Sequence, residues 1–355
     1  MVRSSFLLLA ALSWACAATT APVPPPEERL VVVNAGDNTL SLISVDSSKA
    51  VRRIQLGALD AAPTAVAARG ETAVVAAAGV DQLIVADLTA QTIRRVIPLA
   101  PGSQPSAVAF VSDVVVYVAS ARAGTVTRVD ITSGDTASVT VGTYPRDLVL
   151  TRGRLFVVNA NTARCATGIC SLGPSWLSVV DPQTNALAQG IDSIPLQAGG
   201  NARSAILGGD GLLYVVNKGD IAESVPGRLT IVDPIRREEV GNFGGFGFVP
   251  VGMAAGGSSD RLFVTSTVDG LMEFNTRTRR VVRGAGQGVL VTDNVAAAVD
   301  PQGRIYAVES SGCAALANGR LRVFRPDLTE ARDITVGPCP VAITFVQISG
   351  LAAAN

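Results

Sequence analysis

Residues 30–57 read LVVVNAGDNTLSLISVDSSKAVRRIQLG. LVVVN at 30–34 is a β-branched run ending in a small polar residue, TLSLISVD at 39–46 is a second run, and VRRIQLG at 51–57 is a third. The intervening AGDN and DSSKA are turn-forming stretches, and a fourth run, PTAVAA, follows at 63–68. Four short β-runs with turns between them describe a small antiparallel sheet.

The same unit recurs along the chain. The LVVVN-type run returns as TAVVAA at 72–77, VVVYVAS at 114–120, LFVVN at 155–159, LLYVVN at 212–217, LFVTS at 262–266 and IYAVES at 305–310. Successive starts lie 42, 42, 41, 57, 50 and 43 residues apart. Each is followed by a second run: QLIVADL, TVTRVDI, WLSVVDP, LTIVDP, LMEFNT and LRVFRPD. The fourth run reappears as PSAVAF at 105–110, PRDLVL at 145–150, PVGMAA at 250–255 and PVAITF at 340–345, and as NARSAIL at 201–207 and DNVAAAV at 293–299. Four strands at a period near 42 predict an all-β, seven-bladed β-propeller with four antiparallel strands per blade, spanning 30–347. The first unit begins at a second strand, and PVAITF is an unmatched first strand. The C-terminal strand should therefore complete the first blade and close the ring.

These units, above all the first three, resemble the YVTN family of β-propellers, which is related to surface-layer and periplasmic repeat proteins. The resemblance covers nearly all of 30–347. It implies an extracytoplasmic propeller used as a scaffold or binding protein.

The remaining segments fit that compartment. Residues 1–15 have a positive Arg3 and an apolar run from Phe6 to Leu12, the pattern of a signal peptide and too short to span a bilayer. Leu-Ser-Trp-Ala-Cys at 12–16 is similar to a lipobox, which favours lipidation at Cys16; cleavage after Ala17 is the alternative. Residues 16–29, rich in proline and small residues, read as a tether, and 348–355 as a short tail. This places the chain on the bacterial envelope, the outer membrane favoured, or otherwise free in the periplasm or secreted. The membrane contact is through the N-terminal lipid alone.

Composition narrows the chemistry. Of 355 residues, 29 are basic and 29 acidic, so no basic surface calls for nucleic acid. There is no histidine, which removes most general-base, triad and metal-ligand arrangements. No nucleophile elbow, phosphate loop or paired CxxC is present, so no catalytic residue, metal site or cofactor is assigned. With Cys16 lipidated, four cysteines remain, and two disulfides are expected, Cys165–Cys170 within one loop and Cys313–Cys339 beside the ring closure.

The second-to-third strand loops and the connections between blades share one face. The longest such loops are 160–175, 218–228 and 311–320, and binding residues collect on loops of this kind. The candidates on this face are Tyr144, Arg146, Arg164, Trp176, Arg203, Lys218, Asp220 and Glu223, with Phe243, Phe246 and Phe248 of NFGGFGF. Arg146 and Arg203 follow first-strand starts and point toward the channel. They form either an anion site or, the reading favoured here, ion pairs with loop carboxylates. The phenylalanines are either an exposed contact or tucked under neighbouring loops, the latter favoured. Asp37, Asp81, Asp220 and Asp269 recur after second strands, as turn residues do. Together these features point to a monomeric, non-catalytic propeller binding a protein, peptide or glycan through the loop-rich face. A propeller-type hydrolase, lactonase or lyase, and a structural surface-layer protein, are the alternatives.

Overall fold

The computed structural model describes residues 26–348 apart from 46–50, 58–59, 166–167, 198, 221–222, 257–259, 311 and 314–315. The signal peptide, Cys16, most of the tether and the tail lie outside the described residues. The described chain is all-β: seven antiparallel blades arranged in a ring. Blade two is typical, with strands β4 (Pro63–Arg69), β5 (Thr72–Ala77), β6 (Gln82–Asp87) and β7 (Thr92–Pro98) hydrogen-bonded in chain order.

Blade one is assembled from both ends of the described chain. Strand β1 (Glu27–Asn34) pairs outward with β2 (Thr39–Ser44), which pairs with β3 (Val51–Gln55). Inward, β1 pairs with the last strand, β31 (Pro340–Ile348), in register from Glu27 with Ile348 to Asn34 with Pro340. The C-terminal strand is thus the innermost strand of the first blade, and no sheet edge is left open at the junction.

Period-two alternation explains why the second strands are apolar throughout. Val31 and Val33 of β1 pack toward blade two, against Ala73, Val75 and Ile84. Leu30 and Val32, on the opposite face, pack toward blade seven, against Tyr306, Val308 and Leu321. Every blade divides its side chains this way, so the core consists of seven wedges, one between each pair of neighbouring blades. Outer strands face water and carry charge, as in TIRRVIP of β7.

Two blades depart from the regular pattern. In blade four the outer edge is split between β17 (Ala186–Leu187) and β18 (Ser193–Pro195), which both pair with β16 (Trp176–Asp181). Ahead of β16, the chain makes a separate hairpin, β14 (Thr162–Cys165) with β15 (Gly168–Ser171), closed by the Cys165–Cys170 disulfide. In blade seven, Cys313 and Cys339 form the second disulfide with Cα atoms 4.6 Å apart. It joins the second-to-third strand loop of the last blade to the residue preceding the closing strand.

Candidate functional site

The channel mouth is built from one backbone device repeated in every blade. The residue before each first strand has a left-handed backbone: Ala62, Gln104, Tyr144, Asn201, Val249, Asp293 and Cys339, with φ between 41° and 59°. Two residues further on, the pairing of first with second strand skips one position, a β-bulge, in all seven blades. The skipped residues are Thr64, Ser106, Arg146, Arg203, Val251, Val295 and Val341. They leave the ladder and all seven line a cavity of about 530 Å³ at the loop-bearing end of the channel. The positive φ at Tyr144 is therefore a property of the repeat and not a local strain.

This ring is chemically lopsided. In blades two and three the bulge hydroxyls are consumed between blades: Thr64 Oγ1 donates to the Pro105 carbonyl at 2.9 Å and Ser106 Oγ to the Pro145 carbonyl at 2.7 Å. In blades six, seven and one the ring residues are valines. Arg146 and Arg203, on adjacent blades four and five, supply the charge.

Lys218 adds to it. In three blades the residue after the second strand is an alanine that lines the cavity, Ala35, Ala78 or Ala121. The amide of each donates to the carbonyl of its left-handed residue, and in blade five the Lys218 amide makes the same bond to Asn201. Lysine thus stands at a repeat position that holds alanine in four other blades, Thr267 in blade six and Ser310 in blade seven.

Among the described residues, Arg146, Arg203 and Lys218 make no ion pair and no side-chain hydrogen bond, although each is at least half-buried. The favoured expectation of ion pairs with loop carboxylates is not what the structure shows. Arg146 instead stacks over the Tyr144 ring, 4.4 Å from its centroid. Burial, reinforced by the charge of Arg203, pushes the Arg146 guanidinium down to about 10. Burial also lowers Arg203, against the pull of Asp147, and Lys218, with both arginines adding to the effect. Asp147 is committed elsewhere: Oδ2 accepts from Ser204 Oγ at 2.8 Å and from the Ala205 amide at 2.9 Å, and Oδ1 from the Leu148 amide. Burial raises its carboxyl, with these bonds opposing.

A second cavity of about 620 Å³ shares Gln104 and Ala121 with the channel, so it opens beside the mouth. Its walls include Arg122, Tyr144, Thr162, Arg164 and Ile169, and Arg164 and Ile169 belong to the disulfide-closed hairpin. Of the candidate residues, Arg146 and Arg203 therefore line the channel and Tyr144 and Arg164 the cavity beside it, while Lys218 lines neither and takes the backbone position of the channel-lining alanines.

The other candidates take structural positions. Trp176 is half-buried and its Nε1 donates to Ser178 Oγ, inside a polar cluster that also receives Asn159. The Asp220 carboxylate accepts from the Glu223 amide, and Asp220 and Val225 exchange backbone bonds that bring the two ends of this loop together, with Glu223 exposed. Phe246 is fully buried and Phe243 partly so, both against Phe274, while Phe248 is 40% exposed. Asp81 shows the turn role of its class. Burial works against its charge, but the amides of Gln104 and Gly102 and the Ser103 hydroxyl hold it below the usual carboxylate value. Asp269 binds the Gly286 amide in the same manner.

Gln104, Arg122, Asp147 and the non-arginine bulge residues were missed as site residues. The signal for the bulge residues is present in the aligned first strands, where the second letter of PTAV, PSAV, PRDL, ARSA, PVGM, NVAA and PVAI is the ring position. Among the described residues, no group of three or more Cys, Asp or Glu side chains is placed to hold a metal ion.

No family model and no curated protein matches this chain. Solved structures do. Hydrazine synthase from Kuenenia stuttgartiensis aligns with 89% of this chain and all of that chain, at a TM-score of 0.64 and 12% identity. A quinonprotein alcohol dehydrogenase-like protein from Bacteroides thetaiotaomicron aligns with 89% of this chain and 78% of that chain, at a TM-score of 0.63 and 14% identity. Both likenesses show the fold alone.

Proposed function

We propose that this chain is a non-catalytic binding propeller of the YVTN type, anchored to the cell envelope by lipid on Cys16, that takes a protein, peptide or glycan partner on its loop-bearing face. The observation that carries the reading is the concentration of unpaired cations at the channel mouth, next to a cleft framed by an inserted, disulfide-closed hairpin. Holding half-buried cations without partners costs stability, and binding sites accept such costs where structural positions do not. The two disulfides are consistent with an extracytoplasmic protein. The rigid ring and the repeat-built mouth fit a monomer that recognises its partner with little rearrangement.

The test is crosslinking and capture from the native envelope with the wild-type chain and a triple variant, Arg146→Ala, Arg164→Ala and Arg203→Ala. A partner recovered with wild type and lost with the variant is the expected result. Equal recovery would move the site to another surface, and recovery of this chain alone would favour the surface-layer alternative.

A further inference from the structure

The bulge ring divides the cavity wall into two chemically distinct halves. On one side Arg146 and Arg203 project from neighbouring blades, and Lys218, outside the cavity lining itself, follows the second strand of blade five at the backbone position where Ala35, Ala78 and Ala121 line the cavity in their own blades. On the other, Val251, Val295 and Val341 occupy three consecutive blades. Thr64 and Ser106 lie between, with hydroxyl protons already donated to the next blade. Free hydrogen-bond donors from side chains of the ring are thus confined to the cationic half.

We infer that the channel mouth binds an anionic amphiphile, a carboxylate or phosphate head held by Arg146, Arg203 and Lys218 with its apolar body against Val251, Val295 and Val341. This rests on the binding-module reading and names the chemistry of the group that the site receives. Guanidinium forks match both heads. The one carboxylate lining the cavity, Asp147, makes no ion pair with them: its oxygens accept from the Ser204 hydroxyl and the Ala205 and Leu148 amides, which keeps the guanidinium donors available. A bare anion would satisfy the cations and leave the valine arc in contact with water. An apolar ligand would fill the arc and leave the half-buried cations unpaired. Only a ligand carrying both features satisfies both halves, and about 530 Å³ falls in the range of small-molecule sites.

The experiment is calorimetric titration of the purified full chain with octanoate, octyl phosphate, octylammonium, octanol and inorganic phosphate. Saturable one-to-one binding of octanoate or octyl phosphate is expected, at least about tenfold tighter than octylammonium or octanol. Whichever of the two anions binds tighter identifies the head. Arg203→Gln should weaken that ligand about tenfold or more, as should Lys218→Gln, which tests the charge at a position where every other blade carries a small uncharged residue. Val295→Asn should weaken the octyl ligand and leave any inorganic phosphate binding unchanged. Circular dichroism confirms folding of each variant. No saturation by either octyl anion up to about 10 mM, or binding indifferent to both charge variants, overturns the site. Inorganic phosphate binding as tightly as octyl phosphate, with octanoate weak, overturns the amphiphile and leaves a simple anion site. Failure of envelope capture with these titrations intact would remove the macromolecular partner only; the converse would remove the amphiphile only.

Discussion

Serine substitution of both Cys313 and Cys339 tests how the ring is held shut. The bond closes a 26-residue separation that contains the last two strands of blade seven, β29 (Asn318–Phe324) and β30 (Glu330–Pro338). Loop entropy in the unfolded chain sets its contribution at about 3.5 kcal/mol as an upper figure. The Cys165–Cys170 bond spans five residues, for which the same relation gives about 2 kcal/mol. That bond, however, closes a hairpin paired only within itself, which can open without disturbing a blade. The two bonds should therefore differ by more than loop length alone implies. Urea unfolding followed by circular dichroism compares wild type with each double serine variant. Losing Cys313–Cys339 should lower the midpoint by about 1 M, at a slope of about 3 kcal/mol/M, with the slope unchanged. Losing Cys165–Cys170 should shift it by less than about 0.3 M, because local opening has removed the bond's leverage on global unfolding. Equal shifts, or a larger shift for the hairpin bond, would refute the assignment of the closure to Cys313–Cys339.

Further outcomes follow from the same geometry. Thr64→Val and Ser106→Val each remove a hydrogen bond to the next blade and should each cost about 1 kcal/mol in urea unfolding, with the double variant near the sum. Asp147→Ala leaves the Ala205 amide and the Ser204 hydroxyl without their partner between blades four and five, and should cost about 2 kcal/mol by the same measurement. Lys218→Met should stabilise the chain at neutral pH, because burial and two arginines lower the Lys218 pKa from 10.5 and so penalise its charge. As pH rises toward 10.5 the folded chain releases this proton before the unfolded chain does, so wild-type stability gains and the gap to Lys218→Met closes. A gap that stays constant from neutral pH to that limit would show that the lysine is not under this repulsion.

The architecture was readable because the blades bury both faces. A strand whose odd residues enter one wedge and whose even residues enter the next is apolar along its whole length, as Leu30 to Val33 are, and seven such runs at a steady period leave little freedom in topology. Legibility fell where a strand faces water. The outer edge of blade four carries Gly190 and Asp192 between β17 and β18, and an exposed edge strand needs no apolar pattern that a reader could find. The strand β1 also starts at Glu27, inside the stretch read as tether, because register with β31 continues to Ile348 regardless of the polarity of Glu27 and Glu28. Phe246 illustrates a different limit. Its burial under neighbouring structure is the favoured sequence reading, but the partner, Phe274 of the following blade, lies 28 residues away in sequence and no local pattern names it.

The site was half legible for a related reason. Composition identifies arginines but not whether a carboxylate meets them, and that depends on which blades stand side by side. Asp147 follows Arg146 directly, and a pairing between them looks natural from sequence. The bulge separates them: the ladder skips Arg146, resumes at Asp147 and turns the carboxylate across to Ser204 and Ala205 of blade five. Because the same bulge occurs in every blade, backbone shape cannot distinguish one blade from another, and the differences at this position must come from side chains. Folding requires little of a residue that leaves the ladder and faces a channel; threonine, serine and valine all serve. Two adjacent arginines there, with a lysine where alanine suffices elsewhere, place like charges close together in a partly buried ring, against stability. A position free to hold valine, held instead by an unpaired cation, is not required by how the chain folds, and it is what the anion-binding role proposed for the channel would call for.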